Sequence, residues 1–173
     1  MIRYAKEKKM QKLFFILLII LLSAGSAAAH GGISKLPDSV QIMQYKMLLY
    51  MDSDDIDTRN NLAMAYFRTN ELAEASEQLE EVLKLDANNF DALDGMGIIL
   101  LRQKKGAEAV KYLERALALN DKDMLVHVHL SLAHQQLNQP DLAKKSLETA
   151  EKLAVTPEAV AEIQEEIRLI SNS

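Results

Sequence analysis

The chain contains no cysteine among its 173 residues. Without a thiol it can form no disulfide framework, no cysteine nucleophile and no covalent haem attachment of its own. It has only six glycines, and none belongs to a Gly-rich loop of the kind that holds a phosphate between a strand and a helix. The fold must therefore be stabilised by packed side chains alone.

Long apolar runs are also scarce, apart from one near the amino terminus. Residues 1–12 carry five basic side chains, the ten residues from Leu13 to Leu22 are all apolar, and three alanines occupy 27–29. Ten residues are too few to cross about 30 Å of hydrocarbon, so the pattern predicts a secretory signal, residues 1–29, cleaved after Ala29. The alternative is an uncleaved anchor. With no cysteine to carry a lipid, we expect an exported, periplasmic protein with no stable membrane anchor after cleavage.

Basic residues are fewer than acidic ones, and the difference grows once this segment is removed. Cleavage takes five basic residues and one acidic residue from totals of 20 and 25, which leaves 15 against 24 and a formal net charge of −9. Nucleic acids and anionic lipids bind to basic surfaces. The charge therefore argues against either partner.

What the chain does contain is a repeat. The stretch from Phe90 to Asp123 has two helical patterns joined by a basic, glycine-containing turn, with small residues at Gly97, Ala109 and Ala116. Shifting by 34 residues in either direction places the following residues at the same positions: Ala63, Ala75, Val82, Ser131, Ala143 and Ala150. A 34-residue period of helix, turn and helix is typical of a repeat architecture.

The chain resembles the tetratricopeptide repeat (TPR) family at these positions. In units counted from Ile56, Phe90 and Met124, the family's small eighth residue and its alanine at position twenty are both present. Two features depart from the family pattern: the aromatic fourth residue is replaced by Arg59, Leu93 and His127, and the proline near the unit end by Ala87, Asp121 and Val155. The resemblance implies an all-α fold, a right-handed α-solenoid of stacked helix-turn-helix repeats.

The period also predicts where the units begin and end. Three TPR units are expected at residues 56–89, 90–123 and 124–157. Before them, residues 30–55 form a lead-in and a half-repeat helix, in which Tyr45, Leu48, Leu49 and Met51 take packing positions. After them, residues 158–173 form a C-terminal capping helix with an apolar stripe opposite its acids. The prediction is eight helices and no strands.

The resemblance further implies a concave groove lined by five positions of each first helix. Carried over to this chain, the groove residues are Asp57, Asn60, Asn61, Met64, Phe67, Asp91, Asp94, Gly95, Ile98, Leu101, Leu125, Val128, His129, Leu132 and Gln135. The groove is acidic and rich in amides in the first unit and apolar in the third. We therefore expect a protein partner that presents an apolar or amphipathic segment, with a basic flank.

The half-repeat helix predicts a second contact surface. Met43, Met47 and Tyr50 fall at positions that the family leaves to water, so this helix is apolar on more than one side. A partner helix, a second copy of the chain or residues 30–36 could cover them. Exported relatives assist the assembly of envelope complexes such as c-type cytochromes, pili or secretion systems. The expected function is thus a scaffold or assembly factor, and the alternative is a self-assembling structural subunit.

Residues suited to catalysis are few, and we expect no enzyme, cofactor or resident metal. His127 and His129 point to nearly opposite sides of one helix and cannot share an ion, and His134 takes a packing position. Ser131 takes the small-residue contact, and Glu165 and Glu166 read as a solvated helix face. Two copper hypotheses stay open, one for an amino-terminal His30 after cleavage and one for the stripe of Met43, Met47 and Met51.

Overall fold

The computed structural model describes residue 33 and residues 36–171. The chain divides into two units, Met1–Pro37 and Asp38–Ser173; in the first, the Leu36 amide donates to the Ile33 carbonyl oxygen at 3.0 Å. The second contains eight helices, and its described residues form no strand: α1 Asp38–Met51, α2 Ile56–Arg68, α3 Leu72–Leu85, α4 Phe90–Arg102, α5 Gly106–Leu119, α6 Met124–Gln136, α7 Pro140–Leu153 and α8 Pro157–Ser171. None of these described helices combines the length and apolar character needed to cross a membrane.

Each repeat begins with a side-chain cap at the same position. Asp55, Asn89 and Asp123 lie 34 residues apart, and each accepts a hydrogen bond from a backbone amide in the first turn of α2, α4 or α6. The distances are 3.0 to 3.1 Å. Such caps satisfy amides that have no partner inside the helix. The start of each first helix is therefore encoded locally.

The turns inside the repeats also recur with the period. Asn70, Lys104 and Asn138 have φ values of 64°, 61° and 54°, the left-handed conformation that ends a helix sharply. In the second unit the sequence predicted a basic, glycine-containing turn, and its left-handed residue is Lys104. Gly106 is instead buried, and a Cβ there would lie 3.0 Å from the Cβ of Gln136 and 3.1 Å from the carbonyl oxygen of Ala133.

The small residues of the repeat lie where the two helices of one unit meet. A Cβ added at Gly97 would overlap the side chain of Leu113 in α5. In the third unit the same place is taken by Ser131, whose buried Oγ donates to the carbonyl oxygen of Ala143 at 2.8 Å. This is the packing role predicted for Ser131, and it occupies the hydroxyl in a structural hydrogen bond.

Helix α1 packs on α2, as a second helix would pack on the first helix of the next unit. Tyr45 is buried in this contact and Leu49 is partly buried. The other two predicted packing residues are exposed, Leu48 by 38% and Met51 by 62%. Among the described helices, α1 packs only against α2, and half of its predicted packing stripe is exposed.

Candidate functional site

The first helices of the repeats form the inner side of the stack. Within residues 38–171, α2 contacts α4 and α4 contacts α6, whereas the second helices α3, α5 and α7 do not contact one another. A stack that is closer on one side than on the other bends toward the closer side. The face formed by α2, α4 and α6 is therefore concave, and we call it the concave face.

Helix α8 lies on this face and does more than cover the last repeat. It contacts α6 and α7 of the third unit, and it also contacts α4 of the second unit. Ile163 and Ile170 are its buried residues. The sequence predicted a helix that closes the end of the stack, but α8 also extends across the concave face to the second repeat.

The predicted groove residues fall into three groups as a consequence. Those that are buried are Phe67, Gly95, Ile98, Leu101, Val128, His129 and Leu132. Those that are partly exposed are Asn60, Met64, Asp94 and Leu125, and those that are exposed are Asp57, Asn61, Asp91 and Gln135. The open part of the concave face is thus largely polar, while its apolar part is inaccessible in this structure.

Asn60 was predicted to face a client but has a structural contact. Its Nδ2 donates to Oδ1 of Asn89 at 3.1 Å, the same oxygen that caps α4. The contact links the first helix of one unit to the start of the next.

The centre of the face is a histidine between two carboxylates. Nδ1 of His129 lies 2.6 Å from Oδ1 of Asp94 in α4, and Nε2 lies 3.2 Å from Oε1 of Glu166 in α8. The side chain of His129 is 2% exposed. Burial alone would lower the pKa of His129, but the charges and hydrogen bonds of Asp94 and Glu166 outweigh it and raise this pKa to about 9. At neutral pH His129 is therefore an imidazolium that donates one hydrogen bond to each carboxylate.

This arrangement joins helices and leaves no nitrogen for chemistry. Both ring nitrogens of His129 are engaged on opposite edges of the ring, so neither can act as a general base or bind a metal while α8 is in place. In the part of the chain that the structure describes, no three His, Asp or Glu side chains converge as metal ligands. Glu166, which the sequence suggested is solvated, is instead only 19% exposed.

A second polar contact holds the carboxyl end of α8. The guanidinium of Arg102, in the last turn of α4, lies 4.4 Å from the centre of the Phe67 ring and donates to the carbonyl oxygen of Leu169 at 2.6 Å. Burial lowers the pKa of Arg102, and the nearby charge of Glu166 opposes that effect. Because carbonyl groups at a helix end are electron-rich and unpaired, a cation there is stabilising. Phe67 is therefore covered by Arg102 rather than open to a client.

Sequence reasoning placed Asp94 and His129 on one face but missed Glu166 and Arg102. The repeat period itself indicates the first pair, because Asp94 and His129 lie 35 positions apart in the chain, which is one repeat plus one residue. Nothing in the repeat pattern points to the other two, because α8 lies beyond the last unit and contributes contacts that the period does not encode.

The predicted second surface on α1 is only partly solvated. Met43 is 56% exposed and Tyr50 is 75% exposed, while Met47 is partly buried. Met51 is exposed as well, so two of the three methionines of the stripe are accessible to solvent. His30 of the copper hypothesis, and most of residues 30–36, lie outside the described residues.

The other two described histidines bind backbone and amide groups. Nε2 of His127 lies 3.0 Å from the carbonyl oxygen of Asp121. Nδ1 of His134 lies 2.8 Å from Oε1 of Gln139, at the turn between α6 and α7. The first contact reaches back to the end of the second unit, and the second lies within the third unit.

Stacked helix pairs with a concave face of this kind define an α-solenoid interaction module. Sequence models described as tetratricopeptide repeats match residues 56–85, 91–120 and 126–154, which together make up more than half of the chain. The chain therefore belongs to the tetratricopeptide repeat family, and the fold predicted from the 34-residue period is confirmed. It has the architecture of a protein-interaction scaffold.

Solved structures agree on the fold. A crystal structure of MamA is 20% identical, covers 78% of this chain and 85% of its own, and has a TM-score of 0.61. The MamA RS-1 ArsTM double mutant is 19% identical, with coverages of 93% and 94% and a TM-score of 0.62. The type III secretion translocator chaperone SycD of Yersinia enterocolitica, in an alternative dimer, is 18% identical, with coverages of 70% and 95% and a TM-score of 0.59. No curated protein matches the chain in sequence.

Proposed function

We propose that the chain is an exported, periplasmic scaffold or assembly factor that binds an apolar or amphipathic segment of a client protein on its concave face. The observation that carries the proposal is the position of α8. This amphipathic helix already lies on α4 and α6, with Ile163 and Ile170 buried. A face that binds one amphipathic helix has the chemistry required to bind another.

The open part of the face favours a client with a basic flank. Asp57, Asn61 and Asp91 are exposed on α2 and α4, and the one basic side chain among the predicted groove residues, His129, is buried. Two carboxylates on one surface attract a cationic segment and increase its rate of association. Met64 is partly exposed beside them and offers an adaptable apolar contact.

The side chains that could perform catalysis have other roles, which favours binding over catalysis. Ser131 Oγ is buried and donates to a backbone carbonyl, and both nitrogens of His129 are bonded to carboxylates. A nucleophile needs a base within hydrogen-bond reach. Neither residue has that arrangement.

The amino-terminal pattern and the fold support a role in the cell envelope. The charged, apolar and small-residue sequence of residues 1–29 supports export, and a solenoid without cysteine suits an oxidising compartment. We place the client within an envelope complex under assembly, such as a c-type cytochrome, a pilus or a secretion system.

Site-specific photocrosslinking in the source cell tests this function. A photoreactive amino acid is introduced at Asn61 or Asp91, both exposed on the concave face, and adducts are identified by mass spectrometry. The matched control positions are Glu114 and Lys145, which are exposed on the second helices α5 and α7. The same peptide maps read the amino terminus, which begins at His30 if residues 1–29 are removed.

The expected result is one recurrent adduct with an exported protein at both concave positions and at neither control position. Equal labelling at all four positions would show that the concave face is not the binding site. An intact amino terminus would refute cleavage of the signal.

A self-assembling structural subunit is the alternative, and the exposed apolar side chains of α1 favour it. Met43 and Tyr50 together present a patch that a second copy of the chain could cover. The oligomeric state of the purified protein separates the two functions, since a scaffold for a client need not associate with itself.

A further inference from the structure

We propose that α8 is an exchangeable occupant of the concave face, and that the client helix which replaces it presents an aliphatic stripe and a carboxylate toward α4 and α6. The inference rests on the proposed scaffold function and names the chemistry of the partner. Three observations support it: the contacts of α8, the small number of its buried residues, and the charged groups that would lose a partner if α8 left.

Helix α8 is anchored by far fewer buried residues than the repeats it covers. Two of its residues are buried, Ile163 and Ile170, whereas α4 beneath it has nine buried residues. Val160 and Leu169 of the same helix are partly exposed large apolar residues. Elements with few buried apolar contacts open at lower free energy than the core, so α8 can leave while the repeats stay folded.

The linker to α8 permits that movement. Helix α7 ends at Leu153 and α8 begins at Pro157, so three residues join them. Val155 in this linker is 86% exposed. The connection therefore holds α8 near the concave face without packing it there.

The departure of α8 would leave a cationic pocket. Glu166 would be withdrawn from His129, which keeps Asp94 as its one carboxylate partner at 2.6 Å. The guanidinium of Arg102 would lose the carbonyl oxygen of Leu169. Two cationic groups would then face one carboxylate, so an incoming segment that carries an acidic side chain would restore the balance.

The contacts of α8 therefore specify which side chains a replacing helix must carry, in addition to its shape. In α8 the buried and partly buried isoleucines occur at positions 163, 167 and 170, and the carboxylate that contacts His129 is at position 166. A client helix with aliphatic residues at the first, fifth and eighth positions and an acid at the fourth would make the same contacts. The acidic open end near Asp57 and Asp91 would bind a basic flank beside it.

The test uses the full mature chain and a labelled peptide with the sequence of residues 157–171. Ile163→Asp with Ile167→Asp releases α8, and Ala161→Asp with Gln164→Asp adds the same charge on its exposed face as the matched control. Fluorescence anisotropy measures peptide binding. A peptide with Asp at the positions of Ile163 and Ile167 is the control ligand.

We expect the released variant to bind the peptide about ten-fold or more tightly than the wild type and the exposed-face variant do. In those two proteins α8 occupies the site in most molecules, and the apparent affinity falls in proportion to the fraction of molecules in which the site is open. The Asp-substituted peptide should not bind. Failure of a released variant that retains its helical circular dichroism to bind the peptide would overturn the proposal. Equal binding to all three proteins would overturn it as well.

Hydrogen exchange of the wild-type chain provides a test that needs no variant. Amides of α8 should exchange before those of α6, because α8 opens separately. Exchange of α8 only together with α4 and α6 would show that it is a fixed part of the fold. Neither experiment uses a client, so adducts at Asn61 and Asp91 without peptide binding would refute the exchange of α8 and leave the scaffold function standing.

Discussion

The ion pairs of His129 predict that this fold becomes less stable at alkaline pH. The pKa of this side chain is raised from 6.5 to about 9 by Asp94 of α4 and Glu166 of α8, against the opposing effect of burial. A group whose pKa is higher in the folded state binds its proton more tightly there. Its stabilising contribution is complete below pH 6.5 and is lost as the pH rises through 9.

The size of the effect follows from the same values. One pKa unit corresponds to about 1.4 kcal/mol, so the difference between 6.5 and about 9 contributes about 3 kcal/mol to the free energy of unfolding. Native domains of this size are stable by about 5 to 15 kcal/mol in total. The loss should therefore be visible as a lower urea midpoint between about pH 6 and pH 10.

Urea denaturation followed by circular dichroism, at a series of pH values, measures this loss. Lysines and tyrosines also titrate in this range, so the informative quantity is the difference between the wild type and His129→Gln. Glutamine cannot change its charge, and that difference should shrink by about 3 kcal/mol from pH 6 to pH 10.

Neighbouring glutamates provide a matched control. Glu166→Gln removes one carboxylate from His129 and should reduce the pH-dependent loss, whereas Glu165→Gln only removes an exposed ion pair with Arg168 and should leave it unchanged. Parallel stability profiles for the wild type and His129→Gln would show that His129 does not titrate in this window, and the reasoning would be wrong.

Two further predictions concern packing and the surface of α1. Gly97→Ala should lower the free energy of unfolding by about 1 to 3 kcal/mol in urea denaturation, because its Cβ would overlap Leu113. Gly95→Ala, which meets only the end of one leucine side chain at 2.8 Å, should be nearly neutral, and equal losses would contradict this account. Met43→Glu with Tyr50→Glu should leave the melting temperature unchanged and weaken self-association or client capture in light scattering and pull-down; a lower melting temperature with unchanged association would mean that these residues stabilise the fold.

The features of the fold that could be predicted from the sequence are those that recur with the 34-residue repeat. Residues of the same kind recur every 34 positions, such as the small residues Ala63, Gly97 and Ser131, so the bounds of the units and the contacts within each unit could be placed without a structure. The left-handed turn residues recur too, although Lys104 could not be foreseen, because lysine has no preference for that conformation.

The contacts of α8 could not be predicted in the same way. Its stripe of isoleucines shows that it buries one face but does not say against which helix. Glu166 lies among exposed acids, and its partner His129 is 37 residues away in the chain. The exposure of Leu48 and Met51 was missed for a related reason: the period assigned them packing positions, but among the described helices α1 packs only against α2.

The reach of α8 to α4 also changes how the stack holds together. In a simple repeat array each unit contacts only its neighbours, so unfolding proceeds inward from either end. Here α4 contacts α6, α6 contacts α8 and α8 contacts α4, a closed triangle that spans two repeats. At the opposite end α1 contacts only α2 among the described helices. While α8 is bound, the second and third repeats should therefore be coupled more tightly than neighbours in a simple array, and this extra coupling should be lost when α8 opens. The amino half should fray a helix at a time.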